Sequence, residues 1–152
     1  MKKFFGLLCI LTISSTINAQ TWQDACLGGW INGDGDGKIM IYKEGDKYYG
    51  KITWLREPNE EDGTPKVDDE NPDKSKQKQP VMGLVILKNF TFEEGFWKNG
   101  SIYDPKNGRT YDCEMWLDGK DKLKIRGYWG IVYRTETWIF SLSLPSNHIS
   151  QS

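Results

Sequence analysis

The sequence predicts an all-β domain: an antiparallel up-and-down β-barrel of about eight strands with one long irregular loop. Three observations predict it. Short runs of alternating apolar and polar residues recur along the chain, no stretch holds a helical period, and Gly, Asn, Asp and Pro separate the runs at hairpin spacing. Closing such a meander into a barrel removes the edge strands that would otherwise pair with other chains.

The first residues stand apart from that domain. Lys2 and Lys3 precede an apolar run, Phe4 to Ile13, that is too short for a stable membrane anchor. Ala19 supplies the small residue expected before a cleavage site, so residues 1–19 read as a signal peptide. Gln20 becomes the first mature residue, and the expected destination is the periplasm or the extracellular space. Cys9 follows the bulky Leu8, which argues against a lipoprotein attachment site. The barrel is assigned to residues 20–144 and a polar tail to 145–152.

Gly28 to Ile31 forms the first strand, and Asn32 to Gly37 is a turn of residues that tolerate positive φ. Lys38 to Lys43 follows, with Ile39 and Ile41 on one face. Lys47 to Leu55 alternates so that Tyr48, Gly50, Ile52 and Trp54 share one side. Arg56 to Pro80 breaks the rhythm with Pro58, Pro65, Pro72, Pro80 and many charges, so it is the long loop. Val81 to Leu87 is a nearly continuous apolar run, expected as a strand covered on both faces. Phe90 to Phe96 continues as a hairpin.

The clearest stretch is Gly100 to Gly130. Its turns are Asp104-Pro105-Lys106-Asn107-Gly108 and Asp118-Gly119-Lys120-Asp121, chemistry that reverses a chain. They join strands at Trp97 to Tyr103, Arg109 to Leu117 and Lys122 to Trp129, and Ile131 to Ile139 completes the set.

The chain carries 20 Lys and Arg against 21 Asp and Glu. Cleavage after Ala19 would remove Lys2 and Lys3 and no acid, leaving a mildly acidic domain. That balance argues against a nucleic-acid or anionic-membrane surface. No later segment is long and apolar enough to be an integral membrane helix. Cys26 and Cys113 would survive cleavage. They could form a disulfide in an oxidising compartment or be two buried thiols, and the mid-strand place of Cys113 favours the thiols.

A set of ordered motifs runs through the chain. They include Gly28-x-Trp30, Tyr49-Gly50-Lys51-Ile52-x-Trp54-Leu55, Asp62-Gly63-x-Pro65-Lys66-x-Asp68 and Asn71-Pro72-Asp73. Gly83-Leu84-x-Ile86-Leu87, Gly100-x-Ile102-Tyr103-Asp104-Pro105-x-x-Gly108-x-x-Tyr111 and Leu123-Lys124-x-Arg126-Gly127-Tyr128 follow. In this order they resemble the secreted bacterial family called domain of unknown function 2147. The resemblance implies a secreted β-rich domain and assigns no activity. Before Arg134-Thr135-x-Thr137-Trp138 this chain is one residue shorter than the family pattern. Gly28-x-Trp30 also resembles the first strand of lipocalin-like barrels. That likeness implies a structural role for Trp30, closed over by a late-strand arginine, either Arg126 or Arg134, lying on the indole.

Catalytic equipment is sparse. His148 is the only histidine and lies in the polar tail, so a nucleophile would lack a base. Two distant thiols do not make a zinc site, and no phosphate-cradling glycine loop occurs. No metal or cofactor is expected. Asn32-x-Asp34-x-Asp36-Gly37 opens like a calcium loop, but Lys43 stands where a bidentate Glu belongs, so it reads as a hairpin turn. Asp104 with Asp112 or Glu114 could form a carboxylate pair; turn capping is the simpler role for Asp104, with Gly108 completing the turn. Arg134 and Glu136 share a face with Val132 and Trp138, so they are either an inward pair that orients a polar head group or a surface pair.

The aromatic load then decides the leading reading. The inward faces either fill the barrel or line a cavity. The expectation is a barrel that binds a small apolar ligand at its mouth through Trp54, Tyr103, Trp129 and Arg134, with the long loop as lid. The alternatives are a cell-envelope module binding glycan or protein through outer aromatics, and a carboxylate-dependent hydrolase. Ligand identity and oligomeric state are not legible in the residues.

Overall fold

The structure, a computed structural model, describes residues 22–142. The expected signal peptide, residues 1–19, and the polar tail, residues 145–152, lie outside the described residues. Eight strands run in sequence order around a closed barrel: β1 (Gly28–Ile31), β2 (Gly37–Glu44), β3 (Lys47–Leu55), β4 (Val85–Glu93), β5 (Phe96–Asp104), β6 (Arg109–Leu117), β7 (Lys122–Trp129) and β8 (Val132–Phe140). Every neighbour is antiparallel, and β1 closes on β8 through Trp30 opposite Phe140 and Ile31 opposite Ile139. The fold class read from the sequence is the one observed.

The interior is packed at one end only. Where β1 begins and β8 ends, Trp30, Tyr48, Phe90, Trp97, Met115 and Leu123 are buried essentially completely. Burying side chains of this size contributes roughly 1.5–3 kcal/mol each. A short 3-10 turn, Trp22–Asp24, and the residues after it lie across this end. The Trp97 indole N–H donates to the Gln23 carbonyl at 3.0 Å, and that of Trp30 donates to the Cys26 carbonyl at 2.8 Å. Asp24 accepts from the Tyr48 hydroxyl at 2.8 Å and meets the Lys43 ammonium at 3.1 Å. Cys26 and Cys113 are separate buried thiols, and burial raises the pKa of each well above the ordinary range.

Bulges set which residues face in. Between β2 and β3, Ile39 pairs with Ile52 but Lys38 pairs with Trp54, so Thr53 is an extra residue. Strand alternation is reversed beyond it. Asn89 in β4 and Asn99 in β5 take positive φ, 63° and 61°. The shift at Asn99 lets both Trp97 and Gly100 face inward. Phe90 lies directly over Gly100, where a Cβ would come within 2.4 Å of its ring.

Boundaries differ from expectation in three places. Phe90 to Glu93 belongs to the same strand as Val85 to Leu87, Phe96 opens the next one, and Lys88 and Asn89 are exposed, so β4 is not covered on both faces. Val81 to Leu84 is the end of the loop, because Leu84 N–H bonds Val81 O at 3.1 Å in a tight turn and Gly83 takes φ +88°. The strand begins only at Val85. The last strand starts at Val132, and its register with β7 is continuous from Trp129–Val132 to Lys122–Ile139. The connection is a minimal turn, Gly130-Ile131, with no slip in the ladder.

Candidate functional site

The other end of the barrel is open. It is formed by the β1–β2, β5–β6 and β7–β8 turns and by the long loop between β3 and β4. A cavity of about 610 Å³ descends from it, within the size range of small-molecule sites. Its floor is apolar, made by Ile39, Ile52, Ile86, Ile125 and Trp138. Gly127 faces into it with only ordinary van der Waals neighbours at 3.7 Å, so space lies above that position.

Charged groups gather at the rim. Arg134 and Glu136 face the cavity with Val132 and Trp138, as the inward option foresaw, but at mouth level, where the Arg134 side chain is 77% exposed. Their charges approach to 3.3 Å, and the Glu136 carboxylate also accepts the Trp138 indole N–H at 3.4 Å. Across the mouth, the Lys106 ammonium donates to Asp36 at 2.8 Å and lies 3.8 Å from Asp34. These groups belong to the β1–β2 and β5–β6 turns, which stand on opposite sides of the barrel end. The bridge therefore spans the opening and leaves one window toward the long loop and another toward the β7–β8 hairpin. Lys106 holds the Asp36 carboxyl below its ordinary range, and Asp36 raises the Lys106 ammonium in return. Asn32 completes the turn by accepting the Asp36 and Gly37 backbone N–H groups, both at 3.0 Å. The calcium-like spacing is thus a hairpin turn whose cation is a lysine, and no group of metal-binding side chains occurs among the described residues.

The long loop, expected as a lid, stands as a wall of the mouth tied down by hydrogen bonds. Asp68 is fully buried and accepts from the Tyr103 hydroxyl at 2.7 Å, Asn71 at 2.7 Å and Gln79 at 3.1 Å. Burial, then the Asp68 contact, raises the Tyr103 phenol far above its usual pKa. The loop also bridges itself at Asn59–Pro65 and Val67–Pro80. Gly108 takes φ +68°, and a Cβ there would stand 1.9 Å from the Glu70 carbonyl oxygen. Only glycine lets the loop seat on the β5–β6 turn.

Of the residues expected to bind ligand, Tyr103, Trp129 and Arg134 meet at this cavity. Trp54 does not line it. The extra residue at Thr53 turns Trp54 outward and brings Leu55 to the cavity wall instead. The expected arginine over Trp30 is also absent, because Trp30 lies at the packed end, where Phe140 meets it edge-on at 5.1 Å. Arg126 points outward and lies over Trp116 at 4.8 Å and Tyr133 at 4.5 Å.

Asp104 accepts the Lys106 backbone N–H at 3.0 Å and the Asn107 amide at 2.9 Å. With Asp104 held in its own turn, Asp112 exposed beside the inward Cys113 and Glu114 accepting from Tyr128 on the outer face, neither Asp112 nor Glu114 joins Asp104 in the cavity. Other outer aromatics carry cations: Lys51 over Tyr42 at 5.6 Å and Lys98 over Phe96 at 5.3 Å. Asp36, Lys106 and Glu136 were not singled out as cavity residues from the sequence, except Glu136 as the partner of Arg134. The usable signal was opposite charge on two turns at one end of a meander.

Among solved structures, the chain is similar to protein HP1028 from the human pathogen Helicobacter pylori, described as belonging to the lipocalin family. The TM-score is 0.65 at 19% identity, covering 76% of this chain and 82% of that one, which supports a shared lipocalin-like fold. No curated protein matches. Among the described residues no helix is long and apolar enough to cross a membrane, which leaves strands aside. Residues 28–139 match the family model described as uncharacterized protein conserved in bacteria (DUF2147), and the chain belongs to that family.

Proposed function

We propose that this protein is an exported carrier or receptor for a small, largely apolar molecule held in the open half of the barrel. The observation that carries the reading is the cavity of about 610 Å³, with an isoleucine-rich floor beneath a charged rim. An apolar body on Ile39, Ile52 and Ile125 gains the hydrophobic term, while a polar head at mouth level reaches Arg134. Tyr103 and Trp129 flank that path. Export rests on the leader-like residues 1–19 and places the ligand in the periplasm or outside the cell.

Gly127 gives the test. Gly127→Phe would send a ring into the cavity without a backbone clash. The apolar fluorophore N-phenyl-1-naphthylamine is expected to brighten with the wild type and to lose at least about tenfold in affinity with the variant, at unchanged circular dichroism. Equal binding by both would overturn the reading. Native mass spectrometry of protein purified from its own envelope would then identify what it carries.

A further inference from the structure

The β7–β8 hairpin tip is the most apolar exposed feature among the described residues. Ile131 is 99% exposed, Trp129 70%, Val132 62% and Tyr133 58%. The four surround Gly130, whose φ of +60° makes the tight turn. Such a tip costs solubility unless something covers it.

Its chemistry is graded. Aliphatic Ile131 and Val132 lie at or beside the apex, with an aromatic ring on each arm behind them. Cations stand behind the rings: Arg109 over Trp129 at 5.6 Å and Arg126 over Tyr133 at 4.5 Å, with Arg134 next along β8. Arg126 is engaged by Glu114, the Thr135 hydroxyl and the Trp116 and Tyr133 rings, so the donors left for a head group are those of Arg109 and the N–H groups of Arg134 beyond its contact with Glu136. Aliphatic tip, aromatic shoulder and basic base reproduce the order met on passing from acyl chains through the interface to the phosphates.

We propose that, against the expectation from net charge, the local cations and apolar tip of this hairpin dock the barrel onto a lipid bilayer carrying anionic phosphate head groups. Ile131 and Val132 enter the acyl boundary, Trp129 and Tyr133 lie at the interface, and Arg109 and Arg134 face the phosphates. A second copy is a poorer occupant, because a stable dimer needs about 800 Å² per partner and a minimal hairpin tip offers much less. Docked this way, the mouth's hairpin-side window faces the membrane surface. The inference goes beyond ligand carriage, and it shares Trp129, Tyr133 and Arg134 with the cavity mouth, whereas Ile131 belongs to the hairpin alone.

Flotation of the purified protein with vesicles of phosphatidylethanolamine and phosphatidylglycerol tests it. The wild type is expected to float with them and less with phosphatidylcholine vesicles. Ile131→Asp should weaken partitioning roughly tenfold or more. Ile131 does not line the cavity, so that variant should bind N-phenyl-1-naphthylamine like the wild type, while Gly127→Phe should float normally. Brominated acyl chains should quench Trp129 fluorescence in the wild type, read against Trp129→Phe. A wild type that stays unbound, or an Ile131→Asp variant that floats equally well, would overturn the proposal. So would a concentration-dependent dimer broken by Ile131→Asp in the absence of vesicle binding.

Discussion

Trp97 and Trp129 sit at opposite ends of neighbouring parts of one barrel, and their surroundings have little in common. Trp97 is 1% exposed, meets Tyr48 and Phe92 edgewise or tilted, and gives its N–H to a backbone carbonyl. Trp129 has a cavity on one side, solvent on another and an arginine over its ring. The same residue type fills the interior in the first setting and borders open space in the second. The packed end supplies the stability that lets the open end keep unfilled space and exposed rings.

The sharpest way to break this contrast is to truncate both indoles. Trp97→Ala is expected to destabilise by about 3–5 kcal/mol, and Trp129→Ala to stay within about 0.5 kcal/mol. Urea unfolding followed by circular dichroism measures both, and similar losses would refute the division of labour.

A middle-sized effect is expected where the long loop joins the open end. Gly108→Ala forces a side chain into the left-handed region and toward the Glu70 carbonyl. A loss of about 2 kcal/mol is expected, with new protease cleavage within residues 56–84. An unchanged cleavage pattern would mean that the loop is held without this contact.

The smallest effect concerns the bridge across the mouth. Lys106→Met should change stability by less than about 1 kcal/mol, because both partners are partly solvated. Its pH dependence carries the information. The Asp36 pKa is depressed on folding, so its contribution is present above the ordinary 3.8 and fades as pH falls through the lower folded value. The Lys106 pKa is raised, so its contribution is present below the ordinary 10.5 and fades as pH rises through the higher folded value. Wild type and variant should therefore differ most between these limits and converge in strong acid. The variant should also exchange N-phenyl-1-naphthylamine faster, measured by stopped flow.

Much of the fold was legible because hairpin turns carry their own chemistry. Asp104 to Gly108 and Asp118 to Asp121 announce reversals, and alternation between them gives strands and faces. β3, β6 and β7 follow the bounds expected. The bulges were not legible, since an extra residue at Thr53 exists only relative to the partner strand, and a one-residue change of phase moves Trp54 from inside to outside. Trp129 and Arg134 line the cavity on the faces that alternation gives them, and Tyr103 lines it as well. Lys106 with Asp36 escaped because they meet only after the barrel closes, and the Asp68 network escaped because a loop rich in charge gives no hint of which carboxylate is buried.

The backbone from Trp22 to Leu27 crosses the base of the barrel, opposite the mouth. Anything joined ahead of it, such as a purification handle, a surface linker or a fluorescent partner, enters the molecule at the sealed pole. Such an attachment can hold the protein on a sensor chip with its open mouth and hairpin turned toward the flowing sample.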